Sequence, residues 1–362
     1  MGPSAEHNVK ESERPEAVPA HRGNTRGLWS SEGMDEVEQL MRRLAIGGRL
    51  DRLGLVLREH LDTGGKRLRA RLALGAADAL GVPREKVVAW AAACELLHNA
   101  TLLHDDVQDG DRTRRGHEAA WVRHGVAHAI TAGDLALMLP WTAVEQIDAP
   151  DAVKWQLGSA IARQACRVAR GQANEGDLLP RRQLSWSEYE RVVMGKTAAL
   201  FTLPVFGVAL LAGLSLEQAT ALADELYPLG LLYQVQDDVL DLFGDKGRDI
   251  VGSDIAEGKV SALVVEHLRL YPHDAPWLIA LLERPREETL RDDITRCTER
   301  FRDGGALDAV WERLERIEGA IVDSERLAQH PRLHALAVEL VALAVAPIAH
   351  TAPLHSLPMQ TA

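Results

Sequence analysis

Residues 84–107 read REKVVAWAAACELLHNATLLHDDV, and this stretch decides the fold. Wound as a helix, it is apolar on almost every face, the mark of a helix enclosed by others in a large bundle. It then ends in acid, with Asp105, Asp106 and Asp109 closing the apolar rod in LLHDDVQDGD. Outward from it, nearly every segment carries helical spacing. EVEQLMRRLAIGGRLDRLGLVLREHL (36–61) and KRLRARLALGAADALG (66–81) give amphipathic turns. Further helical runs cover about 121–147, 151–172, 186–212, 215–243, 257–270 and 286–348. Gly and Pro punctuate them. No segment alternates apolar and polar between hairpin signals, so no sheet is expected. The reading is an all-α protein, one large helical bundle over 29–350. The polar, proline-bearing stretch 1–28 is expected to be disordered, and 351–362 to be a loose tail.

Composition narrows the function. The net charge of −12 argues against nucleic acid as a partner. An acidic protein can still bind anions where a divalent metal inverts the local field. The three cysteines, Cys94, Cys166 and Cys297, have neither disulfide nor metal-ligand spacing and fit a reducing cytoplasm. The first residues lack the apolar core of a signal peptide. The longest apolar run, ALFTLPVFGVALLAGL, is interrupted by Pro204 and glycines, so no transmembrane segment is expected.

A second acidic cluster, Asp237, Asp238 and Asp241 in YQVQDDVLDLFGD, repeats the form Asp-Asp-x-x-Asp at the end of another apolar helix. At about 100° per residue, positions i and i+4 share a helical face. Asp105 therefore points with Asp109 and Asp237 with Asp241, while Gln234 and Asp238 fall within a turn of the second face. Carboxylates gathered at a helix C-terminus repel one another and oppose the macrodipole. A hard divalent cation that also binds phosphate oxygens would relieve this, and magnesium is the natural choice. One such cluster alone is as readily a solvated helix end. Two, each closing an apolar helix, weaken that reading.

Basic residues weaken it further. Gly64 and Gly65 lead into Lys66 and Arg69, a glycine turn before a basic helix start that suits phosphate. His98 lies seven residues before Asp105 on nearly the same face. A lone histidine there is more often a core residue, but this one looks toward the acidic cluster. Arg114 and Arg115 follow the first cluster in a short polar loop and could be surface ion pairs or serve different diphosphates. Lys196 and Thr197 in MGKTAALF and Lys259 in SDIAEGKVSAL would not stand out by themselves.

Together GGKRLR, ELLHNATLLHDDVQD, RRG, GKTAAL, YQVQDDVLD and SDIAEGK resemble, in order and approximate spacing, the trans-prenyl diphosphate synthase (polyprenyl synthetase) family. The resemblance runs from about Gly64 to Lys259. It implies the isoprenoid-synthase bundle around a central apolar cavity, condensation of isopentenyl diphosphate with an allylic diphosphate, and a homodimer, for which the apolar 84–107 region would suit as an interface although its hydrophobicity equally fits the core. It implies three magnesium ions, replaceable by manganese, held by Asp105, Asp106 and Asp109 and by Asp237 with Asp238 and Asp241. Arg114, Lys196 and Lys259 would grip the allylic diphosphate, and Gly65, Lys66, Arg69, His98 and Arg115 the isopentenyl diphosphate. Thr197 and Gln234 would line the reacting region. Small residues at Ala100 and Thr101, where farnesyl synthases commonly carry an aromatic, imply a product of geranylgeranyl length or longer, with Leu97, Leu137 or Met138 as deeper floor. Two departures stand out: the shorter segment after the second motif, where Lys246 or Arg248 would substitute for a Gly-Lys pair, and the missing basic C-terminal tail. A terpene cyclase on the same bundle and a non-catalytic subunit rank below, since the second acidic motif and the isopentenyl set are complete.

Overall fold

The computed structural model describes residues 32–48, 50–244 and 251–353. The stretch 1–28, Lys246, Arg248 and all but the first three residues of 351–362 lie outside them.

Among the described residues the chain forms eighteen α-helices. They are α1 (Met34–Ile46), α2 (Arg52–Asp62), α3 (Leu68–Leu80), α4 (Val88–Gln108), α5 (Ala120–His124), α6 (Val126–Glu145), α7 (Asp151–Leu178), α8 (Trp186–Val193) and α9 (Ala199–Leu211). Then follow α10 (Leu216–Asp224), α11 (Tyr227–Phe243), α12 (Ser253–Ala256), α13 (Ala262–Leu270), α14 (Ala275–Leu282), α15 (Arg291–Asp303), α16 (Ala306–Val322), α17 (Glu325–Ala328) and α18 (Pro331–Val345). The runs expected at 215–243 and 286–348 are divided, the first at Glu225 and Leu226 ahead of Pro228. The run expected from 257 begins only at α13, capped by Ser261, whose side chain accepts from Val264 N.

The all-round apolarity of α4 has the expected result. It packs along α1, α3, α6 and α9, with Ala91, Ala92, Ala93 and Ala100 fully enclosed. The facing seam of α6 is small as well, with Ala129, Ala132, Ala136 and Ala143 buried, so the two helices approach closely. Trp90, wholly buried, donates its indole N–H to the carbonyl of Pro204 at 2.9 Å and pins α4 to α9. This burial removes the 84–107 region as a subunit interface, because its apolar surface is already spent on the core. Among the large apolar side chains that remain exposed are Val126, Ile130 and Met138 on α6 and Trp155 on α7, with others scattered over α10, α13, α16 and α18.

Two further expectations are corrected. A two-stranded antiparallel sheet does exist, β1 (Thr113–Arg114) with β2 (His117–Glu118). Its two turn residues, Arg115 and Gly116, both have positive φ, as a primed hairpin turn demands. The second concerns apolar length: the region Pro331–Thr351 is long and apolar enough to cross a membrane by length and composition, with 39% of its apolar window buried within the bundle, and Leu200–Leu211 is so only together with Trp186–Ala198, from which it is bent by 48°.

Candidate active site

The C-terminal ends of α4 and α11 face a shared pair of cavities. The smaller, about 360 Å³, has Asp105, Asp109, Asp237, Lys196 and Lys259 on its wall. The larger, about 870 Å³, runs between α4, α6 and α7 past Thr101, Leu137 and Val168, and shares Asp105, Asp109, Glu175 and Lys259 with the smaller one. One polar junction thus opens into a longer space lined in part by apolar side chains.

The first acidic motif divides its work. Burial, with Asp109 and Glu175 adding repulsion, pushes the Asp105 carboxyl up to about 6 despite the nearby Lys196. Asp109 accepts from Lys259 Nζ at 2.9 Å. Asp106 points away: it is 1% exposed and accepts from Arg114 Nε at 2.8 Å and from the second guanidinium nitrogen. It lines neither cavity, and its contacts tie the end of α4 to Arg114 of the β1–β2 hairpin.

The second motif is divided more sharply. Asp237 and Asp238 are on the wall of the smaller cavity. Asp238 is a hub, accepting from Gln234 Nε2 at 2.9 Å, the Tyr189 hydroxyl at 2.7 Å and Ala262 N at 2.7 Å. Asp241 is buried outside both cavities and accepts from Ser253 Oγ at 2.8 Å and Asp254 N at 3.1 Å. The i, i+4 pairing of Asp237 with Asp241 is therefore corrected: Asp241 ties α11 to α12, and Asp237 keeps the cavity position. Thr197 Oγ1 donates to Gln234 Oε1 at 3.1 Å and extends the hub toward Lys196.

Lys196 and Thr197 owe their position to a break in helical rhythm. Met194–Ala198 forms a π-helical turn between α8 and α9, a wide turn frequent at functional sites. Its close fit to α11 requires Gly230, where a Cβ would come within 2.2 Å of Ala198 Cα. Lys196 Nζ pairs with Glu175 at 2.6 Å. Glu175 is a residue that sequence reasoning missed. It sits mid-way along a polar stretch of a 28-residue helix, and its partner is distant in the chain.

The remaining basic residues gather on the other side of the smaller cavity, which takes in Lys66, Arg69, His98 and Arg114. Lys66 precedes α3 and stands outside the helix that carries Arg69, because Arg67 is the cap, with φ of 50°. The guanidinium of Arg69 lies 4.7 Å over the Phe201 ring, and its buried Nε lacks a hydrogen-bond partner. Burial and the neighbouring Arg69, Arg115 and Arg114 hold His98 well below the usual imidazole range, and its buried Nδ1 is also unpartnered. Arg115 donates to Gly64 O and, at 3.4 Å, to Thr63 Oγ1. Gly65, with φ of 119°, makes this possible, since a Cβ there would stand 2.5 Å from Arg115 Cζ. The result is a cluster of the half-buried Arg69, Arg114 and Arg115 and the exposed Lys66 around a neutral imidazole, with unpartnered nitrogens on Arg69 and His98, an anion site by its chemistry.

At the proposed floor, Thr101 and Leu137 line the larger cavity. Ala100 and Leu97 are fully buried and line neither cavity, and Met138 is 59% exposed. Of the small pair and the deeper candidates, only Thr101 and Leu137 are placed to meet anything inside.

Among the described residues no three acidic or histidine side chains form a metal cage by themselves. The donors are all oxygen, set at a junction flanked by cations, and the Asp105 carboxyl is destabilised as an anion. That arrangement fits an ion completed by substrate phosphates, the usual mode for magnesium.

Residues 51–300 match the model of the polyprenyl synthetase family. The chain belongs to that family. Among polyprenyl synthetases it is 36% identical to the short chain isoprenyl diphosphate synthase of Methanothermobacter thermautotrophicus, over 65% of this chain and 74% of that one. It is 32% identical to the geranylgeranyl pyrophosphate synthase of Geoglobus acetivorans, over 82% and 90% respectively. A solved structure of the polyprenyl synthase from Caulobacter crescentus, complexed with calcium and isoprenyl diphosphate, superposes with a TM-score of 0.75 at 28% identity, covering 90% of this chain and 99% of that one. The all-helical architecture read from the sequence is that of these polyprenyl synthetases.

Proposed function

We propose that this polyprenyl synthetase condenses isopentenyl diphosphate head-to-tail with an allylic diphosphate, with magnesium as cofactor. The observation that carries this reading is the convergence of Asp105, Asp109 and Asp237 on one cavity with two cation groups, Lys196 with Lys259 and Lys66 with Arg69 and Arg114, on its wall beside the neutral His98. Magnesium bound there would neutralise the diphosphate leaving group as charge develops on it. Asp105, Asp109 and Asp237 are the residues that would hold it, in three ions on the family's pattern, with manganese as a substitute. The neighbouring Asp106, Asp238 and Asp241 keep the supporting helices in place.

The chain's own groups account for the rest. Lys196 and Lys259 hold oxygens of the allylic diphosphate and, with Arg114 nearby, stabilise it as its C–O bond breaks and the electron pair leaves with diphosphate. Lys66, Arg69, His98 and Arg115 fix isopentenyl diphosphate so that its double bond attacks the allylic carbon and forms the new C–C bond. Thr197 and Gln234 border the reacting carbons. The proton lost from the adduct passes to the departing diphosphate. Apolar walls of the larger cavity exclude water from the cation and receive the growing chain.

The volume of that cavity and the small Thr101 on its wall support a product of geranylgeranyl length or longer. The free thiols Cys94, Cys166 and Cys297 suit a cytoplasmic setting. A homodimer is part of the same reading, with the exposed Val126, Ile130 and Met138 of α6 as its surface. The test is incubation with isopentenyl diphosphate, magnesium and dimethylallyl, geranyl or farnesyl diphosphate, with products identified by mass. Elongated prenyl diphosphates are expected; cyclised hydrocarbon without elongation, or no product, would overturn the reading.

A further inference from the structure

Arg286 comes from a short 3-10 turn (Arg286–Glu288) far along the chain, yet it reaches the end of the first acidic motif. Its Nη1 donates to the main-chain carbonyl of Asp109 at 3.0 Å, the C-terminal end of α4, and lies 3.5 Å from Asp111 Oδ1. The same nitrogen stands 3.1 Å from Glu257 Oε1. The other carboxylate oxygen of Glu257 is 2.7 Å from Lys259 Nζ, and Lys259 in turn is 2.9 Å from Asp109 Oδ2. Asp109, Arg286, Glu257 and Lys259 thus close a ring joining α4, the loop after α12 and the turn after α14. The Glu257 side chain is only 5% exposed, so its charge depends on these two cations.

We infer that Arg286 is a positioning residue for the condensation: it holds Glu257, and through Glu257 keeps Lys259 aimed at the junction of the two cavities. The inference rests on the function proposed above. When the Asp109 carboxylate engages a cation, Lys259 must release it and turn to the allylic diphosphate. Among the described residues Glu257, at 2.7 Å, is then the nearer of the two anions left to orient Lys259, Asp254 standing 4.0 Å away, and the far side of Glu257 is fixed by Arg286. Without Arg286, Glu257 would have Lys259 as its one nearby cation among the described residues and would draw it away from the substrate. The guanidinium also places a cation at the carbonyl end of α4, where the macrodipole and the aspartates both favour one. Lysine could place one ammonium where Nη1 meets both the Asp109 carbonyl and Glu257, but without the rigid planar group that fixes that nitrogen there, so it should replace Arg286 only in part.

Three variants test this: Arg286→Ala, Glu257→Gln and the double substitution, with Arg286→Lys as the conservative control. Arg286→Ala is expected to lower kcat about tenfold or more while leaving the KM for isopentenyl diphosphate unchanged, and Arg286→Lys to restore only part of it. Because the two residues act as one unit, the double variant should be no slower than the slower single one. In the metal-free protein, acetic anhydride labelling of Lys259, read by peptide mass spectrometry against another lysine, should fall several-fold in Arg286→Ala, because the Glu257 carboxylate then pairs with Lys259 alone. Multiplying losses in the double variant would mean that Arg286 touches substrate independently of Glu257 and would overturn the inference. So would unchanged Lys259 labelling, or full activity in Arg286→Ala. A wild-type protein that forms no condensation product overturns the proposed function instead, and the two failures are told apart by that control.

Discussion

The Tyr189 hydroxyl donates to Asp238 Oδ2 at 2.7 Å and locks α8 against the acidic end of α11. The Ala262 N–H shares that oxygen, and Gln234 holds the other. Tyr189→Phe removes one of the three donors that Asp238 has among the described residues and should lower unfolding stability by about 1–2 kcal/mol, with a small effect on turnover. Asp238→Asn turns an acceptor-only group into one whose amide hydrogens face donors, so it should lose more on both counts. Urea denaturation of the two variants checks the order; a Tyr189→Phe protein less stable than Asp238→Asn would contradict the hub.

Activity should require magnesium or manganese and vanish with chelation. Asp105→Asn and Asp237→Asn should each reduce turnover by orders of magnitude while far-ultraviolet circular dichroism stays helical. Near-normal turnover in both would remove the basis for the metal site.

The raised Asp105 carboxyl makes a separate prediction for the metal-free protein. Its folded pKa of about 6 exceeds the unfolded value, so ionising it opposes folding. That opposition is absent below about pH 4, grows between about pH 4 and 6, and is constant above. Asp105→Asn escapes it. The variant should therefore melt higher than wild type at pH 7.5 in chelator, and the margin should close as the pH falls toward 4. Equal melting temperatures at both pH values would show that the carboxyl is not destabilised.

The two cation groups should separate kinetically. Lys66→Ala or Arg115→Ala should raise the KM for isopentenyl diphosphate and leave hydrolysis of the allylic diphosphate largely intact. Lys196→Ala should do the reverse, weakening use of the allylic substrate. Should Arg115→Ala spare isopentenyl diphosphate and impair the allylic partner, the assignments within the arginine pair are exchanged.

Product length should respond to Thr101 and not in the same way to Ala100. Thr101→Phe places a ring on the wall of the larger cavity and should shorten the product toward farnesyl. Ala100→Phe forces a ring into a fully enclosed position and should mainly destabilise the fold, since overpacking costs about 1–3 kcal/mol or more. Mass spectrometry of the products beside thermal melts distinguishes the two. A farnesyl-length product from the wild type would place the floor elsewhere.

Much of this site was legible because it depends on local pattern. The apolarity of 84–107 announces a core helix, and the acid at its end announces a pole on the cavity. What was not legible depends on tertiary partners. Spacing paired Asp237 with Asp241, but Ser253 and the Asp254 amide claim Asp241. Asp106 differs from Asp105 only in facing Arg114. Glu175 and Arg286 have no local signal at all, since what makes them notable is Lys196 in one case and Asp109 with Glu257 in the other. The hairpin was missed because TRRGHE lacks strand-like alternation and places arginine, not Asn or Gly, at a left-handed turn position. The Arg115 contacts to Gly64 and Thr63, made across the fold, hold it there.

The π turn at Met194–Ala198 winds an extra residue between α8 and α9, whose axes are bent by 48° there. Deleting one residue within it would let α8 and α9 fuse with regular hydrogen bonding, and would rotate everything on one side by about 100°. Lys196 and Thr197 could not then both keep their partners Glu175 and Gln234. Selection for robustness alone would push toward that deletion, so the irregularity marks a point where this molecule gives up regularity to keep its chemistry. A stabilised redesign should leave this turn untouched and seek its gains on the outer faces of the bundle.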